Sequence, residues 1–87
     1  MTNQKFTASD LVPGKTYRVI AAFKDYDGAD HSIGESWRFV KKSFLPYEDG
    51  LTLFVEKDGK PIQIRLQWRT ETQGPLIDNF SNYVEQM

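Results

Sequence analysis

Between Asp25 and Glu35 the chain gathers four carboxylates and its only histidine: Asp25, Asp27, Asp30, His31 and Glu35. A calcium loop needs acids at alternate positions, a glycine at the sixth and a bidentate acid at the twelfth. Counted from Asp25, glycine falls fourth, alanine fifth, and the twelfth residue is Ser36. That spacing fails. Zinc calls for several His or Cys ligands, and here there is one histidine and no cysteine. Asp and Gly are the residues that turn a chain, so DYDGADH reads first as a solvated loop, with Asp25, Asp27, Asp30 and His31 as a weak acidic-loop site. Glu48 and Asp49 are adjacent acids in a second turn, where neighbouring side chains point apart. No serine lies in a G-x-S-x-G setting. No cofactor is expected, and no catalytic role is assigned.

Binding chemistry is better represented. In GLTLFVEKDGKPIQIRLQWR, Phe54 shares a face with Gln63, Arg65 and Gln67, and Arg69 follows one step on. An apolar ring between two arginines on a polar face has the composition of an interface hot spot. Two bland readings compete: Arg65 packs over Phe54 as its cross-strand neighbour, or a C-terminal helix covers the ring. Trp37 and Trp68 alternate with other apolar residues and read as core. The expected partner is a protein or peptide. A first alternative is single-stranded nucleic acid, through Arg65, Arg69, Lys41 and Lys42 with an exposed aromatic. It is disfavoured by 11 basic against 12 acidic residues, a net charge of −1. A second is a small-molecule or metal sensor on the acidic loop.

The elements that position these residues follow from period and punctuation. Asp58-Gly59 suits a two-residue type I′ turn, which pairs Lys57 with Lys60, Glu56 with Pro61, Val55 with Ile62, Leu53 with Ile64 and Leu51 with Leu66. The apolar pairs then fall on one face, and a one-residue slip would send half of them to solvent. Ile62 to Arg69 is expected to offer an edge for strand addition. Pro13-Gly14 launches a strand over Thr16 to Lys24, and a second runs from Glu35 to Lys41. SFLPYEDG bends into the hairpin. Leu76, Ile77, Phe80, Tyr83, Val84 and Met87 recur at helical spacing after Pro75, predicting a helix over 75–87.

These elements predict a mainly β domain of residues 1–87, with 1–10 loosely ordered, 11–74 a β-rich body and 75–87 the helix. Four or five short antiparallel strands suggest a small SH3-like barrel or a strongly bent sheet. With no apolar leader and no span-length stretch, a cytoplasmic protein without membrane contact is expected. The oligomeric state is open.

The runs Tyr26-Asp27-Gly28, His31, Gly34-Glu35-Ser36-Trp37, Phe44 to Leu51 (FLPYEDGL), Ile64 to Arg69 (IRLQWR) and Ile77-Asp78-Asn79 carry a resemblance. Together they look like a family of short bacterial domains of unknown function, over Leu11 to Tyr83. The resemblance implies a free-standing bacterial domain. It brings no activity, cofactor or catalytic residue to carry over.

Overall fold

The computed structural model of the chain describes residues 5–45, 50–68, 71 and 73–87. Among these, the hairpin forms as its sequence demands. Strands β5 (Gly50–Lys57) and β6 (Lys60–Gln67) pair Lys57 with Lys60, Glu56 with Pro61, Val55 with Ile62, Leu53 with Ile64 and Leu51 with Leu66. Asp58 and Gly59 both have positive φ, 53° and 76°, as a type I′ turn requires. Leu51, Leu53, Val55, Ile64 and Leu66 are buried. Ile62 is not: it keeps 37% exposure, because it lies at the turn end of the edge strand, beyond the elements that cover the others.

With β1 (Thr16–Val19), β4 (Ser36–Leu45) and β7 (Val84–Gln86), the main sheet runs β6-β5-β4-β1-β7 and every pairing is antiparallel. It has two edges, so of the two architectures expected from sequence, the bent sheet fits. Strand β4 (Ser36–Leu45) extends four residues past the expected Lys41 and contains a bulge. Phe39 pairs with Val55 and Lys41 with Phe54, leaving Val40 as the extra residue. The bulge resets the alternation, so Trp37 and Phe39 face the core while Lys41 joins Phe54 on the other face.

The expected strand over Thr16 to Lys24 is two pieces. Strand β1 (Thr16–Val19) lies in the main sheet, and β2 (Phe23–Lys24) pairs only with β3 (Asp30–His31). Between the pieces, the N–H groups of Ile20 and Ala21 both donate to the Tyr83 carbonyl, bending the chain. Ala22 is consequently exposed and Ile20 half-buried.

The C-terminal segment departs most from its pattern. Helix α1 covers Gln73–Asp78, Phe80–Asn82 form a 3-10 turn, and Val84–Gln86 become strand β7. The helical spacing of Phe80 and Val84 serves a different end, since both are buried but one lies in a 3-10 turn and the other in a strand. Pairing with β1 (Val19 with Val84, Arg18 with Glu85, Tyr17 with Gln86) overrides the weak propensity of so short a helix. Helix α1 packs on β6 and on the N-terminal turn. Residues 5–10 are tied down rather than loose: Ala8–Asp10 form a 3-10 turn with a reciprocal Thr7/Asp10 capping box, Ala8 is buried, and Phe6 packs against the core.

Candidate functional site

The three-residue turn Tyr26-Asp27-Gly28 connects β2 to β3. The Gly28 N–H donates to the Asp25 carbonyl and the Asp25 N–H to the Ala29 carbonyl, with Gly28 at φ 85°. That is a type I turn closed by a glycine bulge, which needs glycine where it stands. The Asp25 side chain completes the tip, its Oδ1 accepting from the Ala29 N–H at 3.0 Å.

Behind this tip lies a buried ionic cluster. His31 Nε2 is 2.9 Å from Asp25 Oδ2, and His31 Nδ1 is 2.6 Å from Glu35 Oε2. The ring stacks on Phe23 at 4.7 Å between centroids. Side-chain exposure is 3% for Asp25, 8% for His31 and 13% for Glu35. An ionised carboxylate only accepts, so an imidazole N–H faces one of these oxygens. Lys57 Nζ, 3.3 Å from Glu35 Oε1, adds a cation beside the two carboxylates. The cluster therefore fastens β3 and the tip to the β5 end of the hairpin.

The other acids of the loop do not converge on it. Asp27 pairs with Arg65 at 3.3 Å on the surface, and exposed Asp30 sits 3.8 Å from Lys24. Among the described residues, no group of three or more His, Cys, Asp or Glu side chains is arranged to hold a metal ion. With both ring nitrogens facing carboxylates, His31 has no free nitrogen for a substrate proton. The sequence places Glu35 near His31 in the chain but carries no signal for Lys57, whose contact is purely tertiary.

The expected binding residues separate. Phe54 is half-buried on the outer face, and α1 packs on β6 and the N-terminal turn instead of over it. The cation over its ring is Lys41, with Nζ 5.2 Å from the centroid, rather than Arg65. Arg65 turns to Asp27 because the loop tip lies alongside it: the Tyr26 N–H donates to the Arg65 carbonyl at 2.7 Å. Gln63 is exposed beside Phe54, whereas Gln67 is buried and leaves the open surface. Arg69, Glu48 and Asp49 lie outside the described residues. Trp37 is buried as expected, and Trp68 is half-buried against the core with Nε1 donating to Asp78 at 3.3 Å. The sequence carries no signal for Val40. At the bulge it joins Phe54, Pro61, Ile62 and Gln63 around an open, mostly apolar groove of about 490 Å³.

No helix among the described residues is long and apolar enough to cross a membrane. No curated protein matches the chain. A solved structure from the mobile metagenome of Vibrio cholerae, integron cassette protein VCH_CASS4, is 33% identical. It aligns over 98% of this chain and 93% of its own, with a TM-score of 0.86. The family model for a domain of unknown function, DUF3601, matches residues 1–87, and the chain belongs to that family.

Proposed function

We propose that this domain is a small non-catalytic interaction module that binds a protein or peptide at the groove around Phe54. The observation that carries this reading is the open groove lined by Val40, Phe54, Pro61 and Ile62, with Phe54 on the outer face and Ile62 at the sheet edge. Val40 and Ile62 keep 39% and 37% exposure there. Large apolar side chains clustered on an open face are the usual anchors of protein contacts. Lys41 and Gln63 at the rim supply polar contacts that fix orientation.

The nucleic-acid alternative finds less support. Of the described cations that this reading uses, Arg65 pairs with Asp27, Lys41 lies over the Phe54 ring and Lys42 donates to the Ser9 carbonyl, so each is already engaged. The sensor alternative is weakened by the consumption of Asp25 and His31 within their own cluster.

The test is site-specific photo-cross-linking in the native host, with the reactive group at Gln63 and a control at Thr16, on a distant strand. The reading expects a discrete adduct from position 63 that is lost when Phe54 and Ile62 are both replaced by serine in a chain that stays folded. Equal labelling from both positions, or an adduct insensitive to that change, overturns it.

A further inference from the structure

We propose that the Asp25–Ala29 tip is a latched cover on the β6 edge, and that an opened β6 pairs antiparallel with β6 of a second copy of this chain. In a hairpin closed by a two-residue loop, Lys60, Ile62, Ile64 and Leu66 direct their backbone groups to β5. Pro61, Gln63 and Arg65 therefore direct theirs outward. The closed edge offers very little to another strand. Pro61 has no N–H, and the Arg65 carbonyl is taken by the Tyr26 N–H. Among the described residues, Gln63 alone in this stretch presents both a donor and an acceptor. One residue is too short to seed a strand, so the tip and Pro61 together guard the edge.

The outward groups are self-complementary about a twofold axis at Gln63. Its N–H and carbonyl exchange with those of the partner's Gln63, and the Arg65 N–H reaches the carbonyl of the partner's Pro61. Pro61 has no hydrogen to return, so the Arg65 carbonyl is the one acceptor left over, and in the closed form Tyr26 already fills it. On the inner face, exposed Ile62 comes into line with the partner's Ile64, and since Ile64 is already buried, Ile62 is the side chain that brings apolar surface to the contact. On the outer face, Arg65 approaches the partner's Pro61, whose β5 neighbour is Glu56, so the charges are opposite. A second copy thus fits the edge in hydrogen bonding, apolar contact and charge. The tip keeps it out, because a partner strand beside Arg65 would occupy the space where Tyr26 lies.

What holds the tip is ionic. Asp25 is its organising residue, and it is anchored through His31 to Glu35 and Lys57, with Asp27–Arg65 as an outer clasp. Opening involves the tip alone, since Phe23 stays packed against Phe80 and Tyr83.

Analytical ultracentrifugation of the full chain tests this directly, with folding checked by circular dichroism. The unaltered chain is expected to sediment at its monomer mass of 10.1 kDa. His31→Ala, which removes the latch, should move the mass toward twice that value as concentration rises. Tyr26→Pro with Asp27→Ala opens the tip by a separate route, because proline suits the second position of a type I turn while deleting the N–H that bonds Arg65. That variant decides the matter if His31→Ala does not fold. Adding Gln63→Pro to either background should restore the monomer, and costs the hairpin no bond because that N–H points outward. A folded tip variant that stays monomeric at NMR concentrations overturns the proposal. So does a dimer that survives Gln63→Pro, or an unaltered chain that is already dimeric. The paired edge shares Pro61, Ile62 and Gln63 with the groove, but sedimentation of the purified chain reads self-association with no foreign partner present, so the two readings fail separately.

Discussion

The β4–β5–β6 region and the β2–β3 ribbon are held by different forces. In the former, buried Phe39, Leu51, Leu53, Val55, Ile64 and Leu66 share one face, and long antiparallel ladders satisfy the backbone. Its stability is distributed over many weak contacts, none of which decides the geometry. The ribbon has strands of two residues each and places a histidine between two carboxylates. Few groups fix it, and each depends on the others. The lesson is that a sheet tolerates loss by degrees, whereas a small ionic cluster fails when any one member is removed.

The comparison can be broken most sharply at His31. Replacing it with alanine strands two carboxylates near Lys57 without their shared donor, at a cost of about 3–5 kcal/mol, the range for a broken buried pair. Urea denaturation measures it; a loss below about 1 kcal/mol would mean that water compensates the cluster fully. Leu53→Ala, at a fully buried position, should cost about 2–4 kcal/mol with an unchanged denaturant slope. A loss under about half a kcal/mol would show that the apolar face is not shared as described. Phe54→Ala should cost less, about 1 kcal/mol, and move Tm by only a few degrees, because that ring is half in solvent under Lys41.

The smallest effect is at Asp10. The Thr7 backbone N–H, and then the Thr7 hydroxyl, hold its carboxyl below the ordinary value of 3.8. A carboxyl lowered on folding stabilises above its unfolded value, and the contribution fades as pH falls through the lowered one. Asp10→Asn should therefore lower Tm slightly at neutral pH, with the difference closing in strong acid. A difference that persists in strong acid would assign the effect to packing of the turn.

How much of this could be read from residues alone follows the same division. The hairpin register was fully specified by Asp58-Gly59 and the alternation of Leu51, Leu53 and Val55, because turn chemistry and burial are local and agree. The same alternation puts Phe54 on the polar face. The Val40 bulge was not visible, since nothing in VKK distinguishes an extra residue from a continuing strand, and the groove depends on it. Val84 misled through period, because Phe80 and Val84 are four apart and both buried, yet one lies in a 3-10 turn and the other in a strand. The acidic loop was seen as composition only. Its split into a buried Asp25–His31–Glu35 core and a surface Asp27–Arg65 pair depends on which side chains the fold turns inward, and spacing in a loop does not encode that.

Native-state hydrogen exchange compares the two regions within one molecule. If the ribbon tip is held by its cluster and opens separately from the packed sheet, the Tyr26 amide should exchange with an opening free energy well below that of Leu53 and Ile64, which should exchange only on global unfolding. In His31→Ala, Tyr26 should lose its protection while the β5 and β6 amides bonded to one another retain most of theirs. A Tyr26 amide that exchanges with the same free energy and denaturant dependence as Leu53 would contradict the account, since tip and sheet would then be one cooperative unit.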